Sequence, residues 1–473
     1  MAFAVLALGE NEGVNPERAE VHLRLLAEAE LRGVITSGSR AGLPGESGSP
    51  RLLRVARALT GVGALDTGTA DSVLAGFDMA VAIRETGPRR VQIELRPAIR
   101  RRMARLTRAA AGPGPAAPGP GADDRVVPVG MMIPVRDDDV RGELYLLAFS
   151  QTASGARFSV YARLRGTSPL GSTGYPAGGH LLHDLTATDE AGTRYTMSFN
   201  GSISTAGWAG ALRLQPGPPP GVRWLDVTAP GAAERRVSLG SPAYRPAVTV
   251  TEISRSPGEC LLDAYAVRIL VAAASGPPYA PRRDGAALTA WLGDVVEALY
   301  AAAALSPLSP VPGQLATLCE SLNLRAHGIA AAPVHELPKT WLSLLTHAHR
   351  RKPDISQPRD GCAGLAVALP GLDGTTLAIM GLHGDERGTV LHVQVTGMPV
   401  VAGQDERLLP PLWLRDDAGR WHATHSTAGR GGAGNDGIAL LEVVPPLSGT
   451  TSVELLAAGR SAEVRTTLPV RWR

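Results

Sequence analysis

The residues best placed to bind a charged ligand form a basic strip between positions 89 and 108. Its arginines are Arg89, Arg90, Arg96, Arg100, Arg101, Arg102, Arg105 and Arg108, and Glu94 is its one acidic residue. Guanidinium groups in such a run can track phosphates, which makes the strip a candidate contact for nucleic acid or another polyanion. The alternative is a solvated helix face, because the strip has no aromatic residue on which a base could stack.

A compositional bias weakens every argument from arginine clusters. Lys339 and Lys352 are the only lysines among 47 basic residues, so the rest are arginine, as in proteins encoded by G+C-rich genomes. Neither lysine follows a glycine run, which excludes a phosphate-binding loop. The net charge of +3 and the 19% of charged residues describe a globular chain with no preference for a charged partner.

The histidines form three closely spaced pairs, namely His180/His183, His347/His349 and His422/His425. A zinc ion needs ligands that converge from one side. On a helix an i, i+2 pair diverges, and on a strand an i, i+3 pair lies on opposite faces. His180/His183, with Asp184 nearby, is the best candidate, but we predict surface histidines and no metal site.

Nucleotide and nucleophile motifs are incomplete. The run from Gly429 to Gly434 has the G-x-G-x-x-G spacing, yet it leads into a predicted strand instead of a helix, so we interpret it as a flexible connection. No G-x-S-x-G motif occurs, and Cys362 with His347 is a cysteine–histidine combination whose convergence in space the sequence cannot show. We therefore predict no catalytic residue, no cofactor and no enzymatic activity.

The three cysteines favour a reducing compartment. Cys260, Cys319 and Cys362 are far apart, odd in number and without a C-x-x-C motif. The apolar run over 2–8 is too short for a signal peptide, and no apolar run approaches the ~20 residues of a membrane span. We predict a cytoplasmic protein without membrane insertion.

Hydrophobic spacing predicts helices followed by strands in the first half of the chain. Three segments have a helical apolar face, the last with Asp66 as its N-cap: Glu17–Arg32, Arg51–Leu59 and Thr69–Arg84. A Pro/Gly/Ala stretch over 111–121 indicates an extended linker. Six short apolar runs then predict strands of a β-sandwich: Glu143–Ser150, Arg157–Leu164, His183–Thr188, Thr193–Phe199, Ala211–Gln215 and Val222–Thr228.

The same order of elements recurs in the second half. The predicted helices are Leu261–Ala273, Leu288–Leu305 and Gln314–Arg325. After a polar segment, the predicted strands are Leu365–Leu369, Thr376–His383, Thr389–Thr396, Leu412–Arg415, Ile438–Val443, Ser452–Leu456 and Val464–Val470.

Local alignments indicate an internal duplication. Residues 51–66 lie over 291–306 with six identities in sixteen, and Ser306 takes the place of the Asp66 cap. Residues 185–193 lie over 412–420 with four identities in nine, and weaker matches between them keep the same order. Two unrelated halves that share composition are the alternative.

The most distinctive repeated feature is an acidic pair followed by Ala-Gly. It occurs as Asp189-Glu-Ala-Gly192 and as Asp416-Asp-Ala-Gly419. A calcium loop would need further oxygen ligands at fixed spacing, and these are missing. We predict hairpin turns with glycine at a positive φ.

Residues Leu65–Arg84, in an Arg-rich and Ala-rich context, resemble uncharacterised cytoplasmic proteins of high-G+C bacteria, and the β segments look like immunoglobulin-type sandwiches. Neither resemblance implies an activity. We predict an α+β chain with two copies of a helical module followed by an antiparallel, immunoglobulin-like β-sandwich. The limits are 15–110 and 259–350 for the helical modules, 125–240 and 362–473 for the sandwiches, and 111–124 and 241–258 for the linkers.

The function predicted from these features is a non-enzymatic scaffold that binds a protein partner. The alternative is a nucleic-acid-associated regulator that uses the basic strip. An enzyme with an unrecognised site is a third hypothesis, for which a metal bound near His180/His183 would be the first sign.

Overall fold

The architecture is known from a computed structural model that describes most of the chain. The described residues are 14–37, 49–86, 125–136, 140–152, 155–166, 179–182, 184–204, 207–240, 246–275, 285–326, 337–350, 360–385, 388–396, 411–426 and 437–473. Seven α-helices and seventeen β-strands lie within these ranges, so the mixed α+β class predicted from the sequence is confirmed.

The helices flank the first group of strands in the sequence. They are α1 (Pro16–Ser37), α2 (Pro50–Gly61), α3 (Thr67–Thr86), α4 (Pro257–Ala274), α5 (Gly285–Ala301), α6 (Val311–Ala326) and α7 (Lys339–His349). No described helix is long and apolar enough to cross a membrane.

Side-chain caps set several of the helix starts. Ser49 accepts a hydrogen bond from the Leu52 amide at 3.3 Å and begins α2. The Asp66 carboxylate accepts one from the Thr69 amide at 2.8 Å, so the cap predicted for α3 is confirmed. The equivalent cap predicted at Ser306 is wrong, because a turn follows Ser306 and α6 begins only at Val311.

All seven helices bury their apolar faces in one core. Leu23, Leu52 and Leu59 from the first half lie in the same buried cluster as Leu299 and Trp341 from the second. The helices on both sides of the first group of strands therefore form one packed body.

A polar contact joins the helices of the two halves within that body. The Arg51 guanidinium donates to Asp294 at 2.9 Å, with Arg54 at 3.5 Å from the same carboxylate. The Asn15 amide donates to the Ala302 carbonyl at 2.9 Å. Residues more than half a chain length apart are thus held side by side.

The strands form two antiparallel sheets. Their bounds are β1 (Arg125–Arg136), β2 (Val140–Thr152), β3 (Gly155–Gly166), β4 (Thr186–Asp189), β5 (Arg194–Ser204), β6 (Gly207–Gln215), β7 (Trp224–Thr228), β8 (Arg235–Ser238), β9 (Val248–Glu252), β10 (Gly361–Ala368), β11 (Thr376–Asp385), β12 (Gly388–Thr396), β13 (Leu412–Asp416), β14 (Trp421–Ser426), β15 (Gly437–Val444), β16 (Ser452–Ala458) and β17 (Ala462–Pro469).

The two sheets share one strand order. The first runs β1-β2-β3-β6-β5-β4-β7-β8, and the second runs β10-β11-β12-β15-β14-β13-β16-β17 with β9 added at its edge. Every strand of the first sheet contributes to one buried cluster, and β10 to β17 except β14 do so in the second. Each sheet therefore curls around a core of its own.

The register shifts between paired strands occur at corresponding positions in the two sheets. The β1–β2 register shifts between Pro128 and Met131, and the β10–β11 register shifts between Gly364 and Val367. Gly130 and Ala366, inside these bulges, have φ values of 55° and 54°. The β2–β3 and β11–β12 ladders also shift at corresponding positions.

The outward faces of the two sheets pack against each other. Leu147 and Ala211 from the first sheet share a cluster with Cys362 and Leu440 from the second. The backbones approach so closely that a Cβ atom on Gly364 would overlap the Leu147 carbonyl oxygen. The helical body covers another part of the second sheet, where the Trp421 amide donates to the Ser343 hydroxyl of α7 at 3.3 Å.

Candidate functional site

Several features predicted from the sequence, including candidate site residues, lie outside the described part of the chain. These are the basic strip (Arg89, Arg90, Arg96, Arg100, Arg101, Arg102, Arg105 and Arg108), the linker over 111–124, the glycine loop over 429–434, and His183. His180 lies in a short 3-10 helix over Gly179–Leu182.

The two repeated acidic pairs form turns, as predicted. Asp189 accepts hydrogen bonds from the amides of Ala191 and Thr193 at 2.9 and 2.8 Å, and Gly192 has a φ of 82°. In the second sheet Gly419 has a φ of 79° and its amide donates to the Asp416 carbonyl at 2.9 Å. Each aspartate accepts a hydrogen bond from a backbone amide of its own turn, so both aspartates act as parts of the scaffold.

Two of the three histidine pairs can be placed in the described part of the chain. His347 and His349 are in α7, whereas His422 and His425 are in β14. Burial opposes ionisation of Asp416, but hydrogen bonding to His422 and Arg420 outweighs it and holds the pKa of that carboxyl well below its usual range. Among the residues that the structure describes, no three His, Cys, Asp or Glu side chains are grouped to hold a metal ion.

The structure instead brings together three polar side chains that the sequence did not single out. Ser159 of β3 lies 2.9 Å from Nδ1 of His392 in β12, and Nε2 of His392 lies 2.7 Å from Nδ1 of His383 in β11. The ring of Tyr161 stacks on His383 with a centroid separation of 4.0 Å. This Ser159–His392–His383 chain crosses the interface between the two sheets.

The chain is buried and uncharged. Ser159 and His392 have no exposed surface, and His383 is 4% exposed. Burial, together with the Arg163 guanidinium, lowers the pKa of His383 to about 3. Burial and the neighbouring His383 ring hold the pKa of His392 well below its usual range. Each neutral ring then has one donor and one acceptor nitrogen, which suits a linear chain of hydrogen bonds.

A serine hydrogen-bonded to a histidine is also the arrangement that activates a nucleophile. Here both side chains are enclosed between two sheets, so a substrate carbonyl has no approach to the Ser159 hydroxyl in this conformation. The arrangement can hold the sheets in register, because sliding one sheet over the other would break the Ser159–His392 hydrogen bond and leave two buried polar groups without that partner.

The rim of this interface contains charged and aromatic groups. The Arg163 guanidinium donates to Asp360 at 2.9 Å and to the Gly384 carbonyl at 3.1 Å. Tyr145 donates to Glu143 at 2.7 Å. Burial raises the pKa of the nearby Cys362 thiol to about 12, which keeps it protonated and unreactive at neutral pH. All three cysteines are free thiols.

One signal in the sequence points to the interface chain. Residues 155–160 align with 388–393, which places Ser159 and His392 at the same position of the two aligned segments. Burial and the identity of the contacting faces, however, follow from the fold and not from spacing.

Outside the area where the two sheets contact each other, their outward faces differ in polarity. In the second sheet, Val444, Ala423, Trp413 and Leu456 are cross-strand neighbours on β15, β14, β13 and β16. All four are buried in the helical cluster. The corresponding positions on β6, β5, β4 and β7 are Gln215, Thr196, Thr186 and Thr228.

The row in the first sheet is polar and open. Gln215, Thr196 and Thr228 are exposed, and Thr186 is half-buried. We call the outward side of β4, β5, β6 and β7 around this row the open face. Apolar side chains thus stand where helices cover the sheet, and hydroxyl and amide groups stand where solvent reaches it.

Known proteins provide no further guide to this surface. Comparisons with protein-family models, with curated proteins and with solved structures found no match. The open face and the sealed interface are therefore the two features of the molecule that bear on its function.

Proposed function

We propose that the protein is a non-enzymatic interaction protein, a scaffold that presents the open face of its first sheet to a protein partner. The helical body and the second sheet act as its support. The observation that carries this proposal is the contrast between two equivalent rows, one apolar and covered by helices, the other polar and open.

We further propose that the chain contains two copies of one helical-plus-β unit. The shared strand order, the matching bulges at Gly130 and Ala366 and the repeated turns at Asp189 and Asp416 support this interpretation. The immunoglobulin-like comparison, the module limits and the cytoplasmic location stay predictions.

The Ser159–His392–His383 chain supports a structural role for the residues that most resemble a catalytic set. A fully buried chain of neutral hydrogen-bonding groups fixes how two surfaces pair. The sealed chain would keep the first sheet at one orientation on its support, so that the open face is presented rigidly.

Affinity capture from the native host tests this proposal. The double variant Thr196→Tyr/Thr228→Tyr adds two rings to the open face while retaining residues that favour strands. We expect it to lose a stoichiometric protein partner that the wild-type chain retains. The matched control is Thr249→Tyr/Thr467→Tyr, which places the same rings at exposed positions near the β9 edge of the second sheet.

The outcomes separate the candidate functions. Loss of the partner in the first variant and its retention in the control would support the open face as the interaction surface. Equal capture by all three proteins would refute it. Recovery that disappears with nuclease would favour nucleic acid and the basic strip Arg89–Arg108, while turnover assigned to a pocket would refute the non-enzymatic proposal.

A further inference from the structure

The edges of the two described sheets differ in how they are protected from pairing with another strand. The edge strand β1 contains Pro128 and Pro134 around its bulge, and β8 is only four residues long. The edge strand β10 is bonded by the segment that follows β17, because Cys362 and Arg473 exchange backbone hydrogen bonds of 3.1 and 2.9 Å. Prolines, bulges, short strands and covering segments all hinder the addition of a strand from another chain.

The remaining edge strand, β9, has none of these features. It contains no proline, and its register with β17 is regular. No described strand pairs with its other side. Thr249 to Glu252 are exposed and Val248 is half-buried. Valine and threonine favour strands, so this edge is a ready template for a further strand.

The ladder with β17 determines which backbone groups of β9 are free. The Ile253 amide donates to the Ser461 carbonyl at 3.1 Å, directly beyond the last paired residue of β9. In an antiparallel ladder, hydrogen-bonded pairs alternate with pairs that are not bonded to each other. The residues that turn their N–H and C=O groups away from β17 are therefore Val248, Val250 and Glu252.

A hydrogen bond on the other side of β17 agrees with this assignment. The Gly459 amide donates to the Ala462 carbonyl at 2.9 Å. Ala462 therefore directs its carbonyl towards β16 and not towards Glu252, its neighbour in the β9–β17 ladder. The backbone groups of Glu252 thus point to the free side of the edge.

The side chain of Val250 leaves part of an apolar surface uncovered. Val250 lies opposite Val464, which is fully buried in the core of the second sheet. Residues directly opposite each other on neighbouring strands lie on the same face. Val250 is therefore on the core side of the sheet, yet it is 50% exposed. The core of the second sheet is incompletely covered along β9.

A second copy of β9 is complementary to this edge. If the two strands run antiparallel with Val250 opposite Val250 of the second copy, each Val248 faces a Glu252. These three facing pairs would each exchange two backbone hydrogen bonds. The two Val250 side chains would cover each other, and no like charges would be opposed. On the other face Thr249 would lie opposite Thr251, which is a favourable pair.

We infer that the protein forms a two-fold symmetric dimer through β9, in which the second sheets of two copies join into one continuous sheet. The inference goes beyond the proposed function, because β9 belongs to the second sheet and the open face to the first. A dimer presents two open faces, which raises its avidity for a partner with repeated sites. A strand of five residues is about 17 Å long, and so small an interface predicts a dimer that forms at about 10–100 µM.

Sedimentation equilibrium of the full chain over a concentration series tests this inference. The mass of the wild type should rise from one chain to two. Val250→Lys and Val250→Glu should each weaken dimerisation about tenfold or more, because like charges then face each other across the two-fold axis. An equimolar mixture of these two variants should dimerise at least as well as the wild type, because a Lys then faces a Glu. This exchange of charges is specific to a contact between two copies of position 250.

Two further variants control for misfolding and for the added charge. Val250→Pro removes an amide that β17 does not use, so the chain should keep its wild-type urea midpoint while dimerisation weakens about tenfold. Leu308→Lys adds the same charge at an apolar residue that is 92% exposed elsewhere, and it should change dimerisation by less than about twofold. Hydrogen exchange of the Val250 amide should slow as the concentration of the wild type rises.

The results that contradict the dimer are distinct. A single chain at every concentration, or an equal loss in Leu308→Lys, overturns the inference. A mixture of the Val250→Lys and Val250→Glu proteins that stays monomeric overturns the two-fold register. Protection of the Val250 amide already in the dilute monomer would assign the edge to another segment of the same chain and would also overturn it.

Discussion

The buried His383 should make the protein lose stability in mild acid, by an amount that follows from its surroundings. Its pKa is lowered to about 3 in the folded chain, whereas an unfolded histidine titrates near about 6.5. The unfolded state therefore binds a proton between pH 7.5 and 5.5 while the folded state does not. The stability that His383 contributes is fully present above its pKa in the unfolded chain. It is lost as the pH falls from that value towards the pKa of His383 in the folded chain.

The magnitude follows from proton linkage. Over that interval a histidine that titrates only in the unfolded state removes about 1.4 kcal/mol from the free energy of unfolding. The pKa of His392 is lowered as well, so it adds to the loss in the same direction. Carboxyl groups with ordinary pKa values titrate mainly below this interval. Burial raises the pKa of Asp263 and Glu442, but their contribution is shared by the wild type and a variant at His383 and cancels when the two are compared.

Urea unfolding followed by tryptophan fluorescence at both pH values measures this effect. The variant His383→Phe retains a ring against Tyr161 but cannot titrate, so its loss between pH 7.5 and 5.5 should be about 1.4 kcal/mol smaller than that of the wild type. His347→Phe, on the half-exposed side of α7, is the control and should keep most of the wild-type pH dependence. An identical pH dependence in wild type and His383→Phe would refute a neutral, buried His383.

Three further predictions concern stability. Gly364→Ala should lower the free energy of unfolding by about 2 kcal/mol or more, because its Cβ would overlap the Leu147 carbonyl at the sheet–sheet interface. The control is Gly371→Ala, where a Cβ atom would meet open space. Equal denaturation midpoints for the two variants would contradict the close approach of the sheets. Trp413→Thr should lower the free energy of unfolding by about 3–5 kcal/mol, because it leaves a cavity under the helices. At the equivalent open position, Thr186→Val should change the free energy of unfolding by less than about 0.5 kcal/mol in chemical denaturation. Asp294→Asn should lower the free energy of unfolding by only about 0.5–1 kcal/mol, since its partner Arg51 is 43% exposed. In a double-mutant cycle this loss should become smaller in an Arg51→Gln background, where Arg54 is the remaining partner of Asp294.

Local features were predictable from the sequence because their causes lie within a few residues. The Asp66 cap and both aspartate turns depend on side chains that bond to nearby amides. The helix α7 was missed although Trp341, Leu344, Leu345 and Ala348 have helical spacing, because its N-cap, Pro338, offers no side-chain acceptor.

Strands with unusual composition were also missed. The strand β1 contains Pro128 and Pro134 around its bulge, and proline normally argues against a paired strand. The exposed edge strand β9 has no buried side to give it an apolar alternation. Neither pattern has the half-buried period of two on which the prediction relied.

The candidate sites depend on contacts between distant parts of the chain. The interface chain joins Ser159 to His392 across 233 positions, and no local spacing encodes such a contact. The open face depends on the order of the strands in the sheet. That order pairs Thr186 with Thr196 and Thr228 in the first sheet. In the second sheet it pairs Trp413 with Ala423 and Leu456. Composition along the chain cannot show which side of a sheet receives a helix.

The shared helical core also has a consequence for synthesis on the ribosome. The partner of Arg51 in α2 is Asp294, 243 residues further along the chain. At roughly 5–20 residues per second, translation takes roughly 12–50 s to reach it. The helix α2 lacks its contacts with α5 during that time, although α1 and α3 are already available to it. The first sheet has all its strands once Ser238 has been synthesised, before α5 begins at Gly285. We expect the nascent N-terminal helices to depend on chaperones, and the first sheet to fold before the helices that precede it.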